Sequence, residues 1–381
     1  MSSADHIFLY FFLYLCLVCC DIVTRAERTD YRRLYTKIFT ILSVIAYVTV
    51  EGFRYGRGVD YFGYGPMYIH CFTRTTEQPA FDFLMRAIKS IDISVSLPYG
   101  ICFHAYALIF ITCLFKLYRR FCYESKYFLL FACFATLYMT EWTIRQGVSM
   151  SFVLTGIYFL LKKNYYIAGL FGLFAIFTHF GNTVSIVIIV MFFFFLNKKP
   201  LPVFVTIPVF IIMQNAFEIL MPFMKTYIQS LDLSILGGSF QGYINNYDRL
   251  LGTEAISAVA DEWARSSFTQ LATTLYYSGL ILVGYYLHKI KPDKVFIYNC
   301  FVVGIMIIEP FRLIGNLTRV FVLLSILWFI PFSMATYYYK MLKKFRCFQL
   351  AYWVVIAYLV MYYGRYVFLN PSATYVWNII K

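Results

Sequence analysis

The chain has 381 residues, of which 61% are hydrophobic, 21% aromatic and only 14% charged. So little polar surface cannot coat a water-soluble globule of this size, which excludes a soluble enzyme and makes lipid the solvent. The formal net charge of +14 follows the membrane topology, and no nucleic-acid partner is expected.

A helix needs roughly 20 residues to cross about 30 Å of hydrocarbon. Twelve apolar segments approach or exceed that length, at 6–22, 36–52, 95–117, 127–143, 147–161, 164–179, 182–197, 200–222, 267–288, 294–310, 316–339 and 347–368. The expected fold is an all-α polytopic membrane protein forming one integral membrane domain over residues 1–381. The first apolar run has no positive residues before it and several after it, so it reads as a retained helix rather than a cleaved signal.

Alternating the connections between two faces separates the charges. Loops 23–37, 116–126, 162–163, 198–199, 289–294 and 340–346 together carry 20 of the 33 Lys and Arg residues. Insertion bias places this face in the cytoplasm and both termini outside. The cytoplasmic face holds thirteen Lys and seven Arg. The outer face keeps only Lys89, Lys225 and Lys381 but holds Arg54, Arg57, Arg74, Arg86, Arg145, Arg249, Arg265, Arg312, Arg319 and Arg365. Insertion bias accounts for the first set and not for the second. Arginine stays charged in a low-dielectric site, and its planar fork matches phosphate or carboxylate oxygens, so an anionic ligand such as a pyrophosphate is indicated. The alternative is that each outer Arg pairs with one of the fourteen acids on that side.

Two outer loops interrupt the spans. The first, about 53–94, runs through Arg54, Gly58, Asp60, Gly63, Gly65 and Pro66 and ends in a helical stretch after Pro79. There Phe81, Leu84, Ile88 and Ile91 recur at helical spacing opposite Asp82, Arg86 and Lys89, the pattern of an amphipathic helix lying in the interface. The second, about 223–266, is polar, with a helix expected from Thr253 to Arg265 and with Gln241, Asn245 and Asn246 able to hydrogen-bond sugars. The ten cysteines are scattered mostly within spans and imply no disulfide framework or metal site.

Ionisable groups at the outer ends of spans are costly and carry the functional candidates. Glu141 and Arg145 are four apart and share a helix face, which suits either a local ion pair or an Arg145 aimed at a phosphate beside Gly147. Glu309, Arg312, Asn316 and Arg319 form a polar stripe along an otherwise apolar helix, where two arginines a heptad apart can grip a pyrophosphate. His179, at an outer span end before Gly181, is either structural or a general base for activating a hydroxyl. His70 and His104 are weaker candidates.

These motifs resemble the EpsG family of exopolysaccharide and O-antigen polymerases, also called Wzy-like proteins. Gly52, Arg54, Gly58, Asp60 and Tyr61 resemble its first outer loop, and Glu77-Gln78-Pro79-Ala80-Phe81 its Glu-Pro-x-Phe segment with one residue inserted. Ile144-Arg145-Gln146-Gly147 is similar to its Ile-Arg-Gln segment, and Phe177-Thr178-His179 to its Phe-His pair. Gly181-Asn182 departs from the small Ser-Ala pair usual there. The likeness runs in order over about residues 50–190, with Arg312 and Arg319 in a looser late pattern.

The resemblance implies a glycosyltransferase that joins undecaprenyl-pyrophosphate-linked repeat units on the periplasmic or extracellular face of a bacterial inner membrane. It implies Arg54, Arg145, Arg312 and Arg319 on the pyrophosphate, with Arg54 and Asp60 shaping the site and His179 as base. Glu77, Glu141, Gln146 and Glu309 would support them. No cofactor or metal is expected, since the activated bond is in the substrate and arginines replace a cation. Membrane lipids, a flippase and a chain-length regulator are the implied partners. A transporter or flippase of lipid-linked glycan, or an O-antigen ligase, remains the alternative.

Overall fold

The computed structural model describes residues 2–26, 30–56, 60–76, 78–93, 97, 99–216, 267–311, 315–369 and 374–375. A helix lies on each predicted apolar segment. In chain order the helices are α1 (Ser2–Arg25), α2 (Asp30–Gly52), α3 (Tyr61–Ile69), α4 (Pro79–Ile91), α5 (Cys102–Phe121), α6 (Phe128–Trp142), α7 (Ile144–Leu161), α8 (Tyr165–Thr178), α9 (Thr183–Phe195) and α10 (Val203–Gln214). They continue as α11 (Ser267–Ile290), α12 (Val295–Ile308), α13 (Gly315–Ser325), α14 (Phe329–Tyr337), α15 (Tyr339–Leu342) and α16 (Arg346–Leu369). Among the described residues six segments are long and apolar enough to cross a membrane: Asp5–Arg25, Arg33–Gly52, Cys102–Phe121, Ile144–Leu161, Thr318–Tyr337 and Arg346–Phe368. Phe128–Leu137, Tyr165–Thr178, Phe180–Phe195, Val203–Gln214 and Val295–Ile308 are apolar but shorter. The expected helix over 253–265 lies outside the described residues.

The connections segregate to two ends. At the Lys-rich end Asp21 bonds Arg25 at 3.0 Å and accepts the Tyr127 N–H at 2.8 Å, joining the first such loop to the second. Glu124 pairs with Lys294 and, at 3.9 Å, with Lys291, and Asn299 donates to the carbonyls of Leu196 and Lys199. Loops far apart in sequence thus meet where charge alternation groups them. The chain ends meet at the other, Arg-bearing end. There β1 (Arg54–Tyr55) pairs antiparallel with β2 (Thr374–Tyr375), and the Tyr375 hydroxyl lies 3.3 Å from His6 Nδ1. This strand pair, unforeseen in the sequence, supplies backbone partners for the enclosed Arg54.

Burial separates central from peripheral helices. In the window over Ile144–Leu161, 72% of residues are buried, and over Thr318–Tyr337, 78%, against 28% for Arg33–Gly52 and for Arg346–Phe368. α7 and the α13–α14 run therefore form the axis around which the outer helices pack. A second, smaller apolar cluster caps the Arg-bearing end, built from Tyr61, Tyr64, Tyr68, Phe81, Met85, Ile88, Phe103 and Ile144 among others.

Three local expectations change. Thr143 leaves helical geometry (φ −132°, ψ 69°), so Glu141 and Arg145 sit on different helices and do not share a face. The stripe from Glu309 to Arg319 is likewise divided, because Glu309–Phe311 is a 3-10 turn between α12 and α13. Pro310 there has no N–H to continue a ladder. The third concerns α4, whose Phe81, Met85 and Ile88 pack into the capping cluster, while Ile91 is exposed. Its Asp82, placed by periodicity on the outward face, is buried. The fifth helix also begins later than the span predicted from residue 95, following a turn at Gly100, whose φ of +55° and contact with the Asp92 carboxylate leave no room for a side chain.

Candidate functional site

The α6–α7 break organises the Arg-bearing end. Because α7 restarts at Ile144, its first N–H groups lack partners in the helix. Asp60 Oδ2 accepts the Ile144 N–H at 3.0 Å, capping α7 from the loop before α3. Gly147, one turn on, lets the two helices close up: a Cβ there would lie 2.9 Å from the Met139 carbonyl oxygen.

Arg145 leaves this first turn toward the cap. Its guanidinium carbon lies 5.3 Å from the centre of the Tyr64 ring, and Nη1 donates to the Thr76 carbonyl at 3.4 Å. Thr76 is itself fixed by Asp82, which accepts its N–H at 2.9 Å and its hydroxyl at 2.7 Å. Two residues later Gln78 Oε1 accepts the Phe180 N–H at 3.1 Å. The start of α4 therefore ties Arg145 and the α8–α9 turn together.

That turn carries His179. The helix ends at Thr178, leaving His179 beyond it in extended geometry (φ −156°), with its Nδ1 buried and without a hydrogen-bond partner among the described residues. Burial, then Arg145, then Arg319, lower its pKa to about 4, so the imidazole is neutral at pH 7. Arg319, half-buried in α13, has no hydrogen-bond or ion-pair partner for its guanidinium among the described residues. It is held through its backbone: Gln146 Nε2 donates to the Arg319 carbonyl, and Ser185 Oγ to the Val320 carbonyl at 2.5 Å. Burial pushes the Asp60 carboxyl above its usual range, while Arg319, the Ile144 N–H, Arg145 and Arg54 pull it back.

Asp60, Arg145, Gln146, His179 and Arg319, distant in sequence, thus converge. Others among the expected site residues do not. The Arg54 guanidinium is 3.4 Å from Glu51, donates to the Thr140 carbonyl at 2.9 Å and stacks 5.6 Å from Phe103, with the residue only 2% exposed. A cavity of about 20 Å³ beside it has room for one water. Glu141, fully buried, accepts from the hydroxyls of Tyr10 and Tyr366 and faces away from Arg145. Glu309 is buried in its 3-10 turn. Glu77 and Arg312 lie outside the described residues. Tyr64, Thr76 and Asp82 enter the site without a sequence signal for that role, whereas Asn182 stood out as an unusual residue beside Gly181.

The cluster sets two guanidinium groups, Arg145 and Arg319, beside the His179 imidazole and the Asp60 carboxylate. Among the described residues Arg145 and Arg319 form no ion pair, and the Asp60 carboxylate on which both act also accepts the Ile144 N–H. Compared with models of known protein families, residues 37–378 match that of the EpsG family. The chain belongs to the EpsG family. No curated protein and no solved structure matches it. The EpsG match runs from within α2 through β2, so every residue of the cluster falls inside it. Membership makes this a membrane protein of polysaccharide-polymerase type.

Proposed function

We propose that the protein is a polymerase that transfers a glycan from undecaprenyl pyrophosphate to the end of a second lipid-linked repeat unit. In this reading all the apolar helices lie within a bacterial inner membrane, with the Lys-rich end cytoplasmic and the cluster and both termini outside. The observation that carries it is the pair Arg145 and Arg319, which form no ion pair among the described residues and converge on a neutral His179.

The acceptor hydroxyl gives its proton to His179 while its oxygen attacks the anomeric carbon. The bond from that carbon to the pyrophosphate oxygen breaks, and its electron pair leaves with the pyrophosphate. Charge develops on that leaving oxygen, and fixed guanidinium groups aimed at it stabilise the transition state more than the ground state. A base of low pKa takes the proton late, which suits a reaction in which departure of the leaving group runs ahead of attack. Arg54, already paired with Glu51, is assigned to holding β1 and the first outer loop in place, and Asp60 to setting the start of α7.

Purified protein incubated with lipid-linked repeat units tests this. A ladder of lengthened products is the expected result. Passage of the lipid-linked unit across a vesicle membrane without elongation overturns it in favour of a transporter, and transfer of finished polymer to a different lipid in favour of a ligase.

A further inference from the structure

A second polar feature runs beside the arginines. Gln146, only 2% exposed, lies in a chain of hydrogen bonds whose two ends are both backbone carbonyls, of Arg319 and of Ala175. Carbonyls only accept, and this fixes every proton between them. Ser149 Oγ donates its one proton to Ala175 at 2.7 Å, so from Asn182 it must accept, and Asn182 Nδ2 donates to it at 2.8 Å. Asn182 Oδ1 is then turned toward Gln146 and accepts from Nε2 at 3.3 Å. The other Nε2 proton goes to the Arg319 carbonyl.

Gln146 cannot be turned over. The reversed amide would set Oε1 against two acceptors at once. Its Oε1 is therefore held, by the protein itself, as a buried acceptor with no donor among the described residues. Leaving such an atom unmatched is costly, and another unmatched polar atom of this cluster is His179 Nδ1. The two belong to one region, because the Asn182 N–H that closes the turn donates to the His179 carbonyl at 3.0 Å. Gln146 also directly follows Arg145 and holds the backbone of Arg319.

The charge state of the missing partner can be read from this. A pyrophosphate at neutral pH offers only acceptor oxygens and would be repelled by Oε1. A sugar hydroxyl offers the required proton. We propose that Gln146 Oε1 accepts a hydrogen bond from a hydroxyl of the saccharide, making Gln146 a specificity-determining residue that marks a sugar subsite beside the pyrophosphate subsite. The inference rests on the polymerase reading for its substrate class, and concerns recognition rather than the chemical step.

The test uses the lipid-pyrophosphate-linked repeat unit isolated from the host, with synthetic copies each lacking one hydroxyl of the terminal sugar. Both binding to detergent-purified full-length protein and elongation are measured for the wild type, Gln146→Met and Gln146→Glu. At one hydroxyl position the wild type should lose about tenfold to a hundredfold on deoxygenation. Gln146→Met, whose thioether is only a weak acceptor, should show little or no loss at that position, while Gln146→Glu, which keeps an acceptor oxygen, should still show one. Ratios within each protein are compared, so a general loss of activity in a variant does not disturb the result, and Glu serves if Met fails to fold. Equal losses at every position in all three proteins, or in wild type and Glu with no position singled out, overturn the inference and leave Oε1 to a bound water. If the wild type binds the unit with the expected hydroxyl dependence but never elongates it, the polymerase reading falls and the subsite stands. If it does not bind the unit, both fall.

Discussion

Replacing Glu51 by Gln isolates what Arg54 does. In the native protein the two charges are 3.4 Å apart, and both residues are nearly inaccessible, at 3% and 2% exposure. At an effective dielectric of about 20 that separation corresponds to an attraction of about 5 kcal/mol, most of it offsetting the desolvation of the two groups. Removing one partner strands the other, and the cost of breaking a buried pair is about 3–5 kcal/mol. Arg54 would keep the Thr140 carbonyl at 2.9 Å, and the adjoining cavity admits a water, so the lower end of that range, about 3 kcal/mol, is expected. For a chain of this length that amounts to a drop of roughly 4 °C in melting temperature, read as the fraction remaining monodisperse after heating in detergent. The double replacement Glu51→Leu with Arg54→Met removes both charges and should recover most of the loss. If Glu51→Gln melts like the wild type while Arg54→Met alone abolishes elongation at unchanged stability, the assignment of Arg54 to a structural pair is refuted, and its charge acts on the substrate.

Arg145→Lys and Arg319→Lys should each lower elongation by about 10²–10³ without changing the melting temperature, since Lys keeps the charge but not the fork. Product ladders of unaltered length and rate in both variants would rule out the pyrophosphate role. Protonation removes His179 as a base, so with its pKa lowered to about 4 the acid limb of kcat/KM should fall near pH 4 and not near 6.5. Arg145 holds that value down by repulsion, so Arg145→Gln should move the limb upward; a limb that stays put or moves down contradicts the geometry. Gly147→Ala should cost about 1–3 kcal/mol, because its Cβ would press on the Met139 carbonyl at 2.9 Å, and an unchanged melting temperature would show that the α6–α7 contact is looser than described.

The helices were legible in the chain because lipid leaves the backbone no other way to satisfy its polar groups, so apolar length alone locates them. The two ends were legible for a related reason: Lys and Arg are sorted by insertion before tertiary structure forms, and the contacts of Asp21, Glu124 and Asn299 join the loops that this sorting groups. Motif order, in turn, was enough to suggest the EpsG family, which the match over residues 37–378 shows. Which arginine is available for a ligand was not legible. Arg54 and Arg319 are the same residue type at the same end, yet a carboxylate one helical turn away pairs with the first while the second forms no ion pair among the described residues. Spacing also misled at Glu141 and Arg145, where a single non-helical residue, Thr143, sends one toward Tyr10 and the other toward Tyr64. Periodicity put Asp82 in water, whereas the fold buries it to fix Thr76. Sequence by itself therefore determined the solvent, the helix positions and which loops share an end, because these depend on local hydrophobicity and charge. Tertiary structure alone decided which charges are cancelled and which polar atoms are left open, because those depend on neighbours brought from distant parts of the chain.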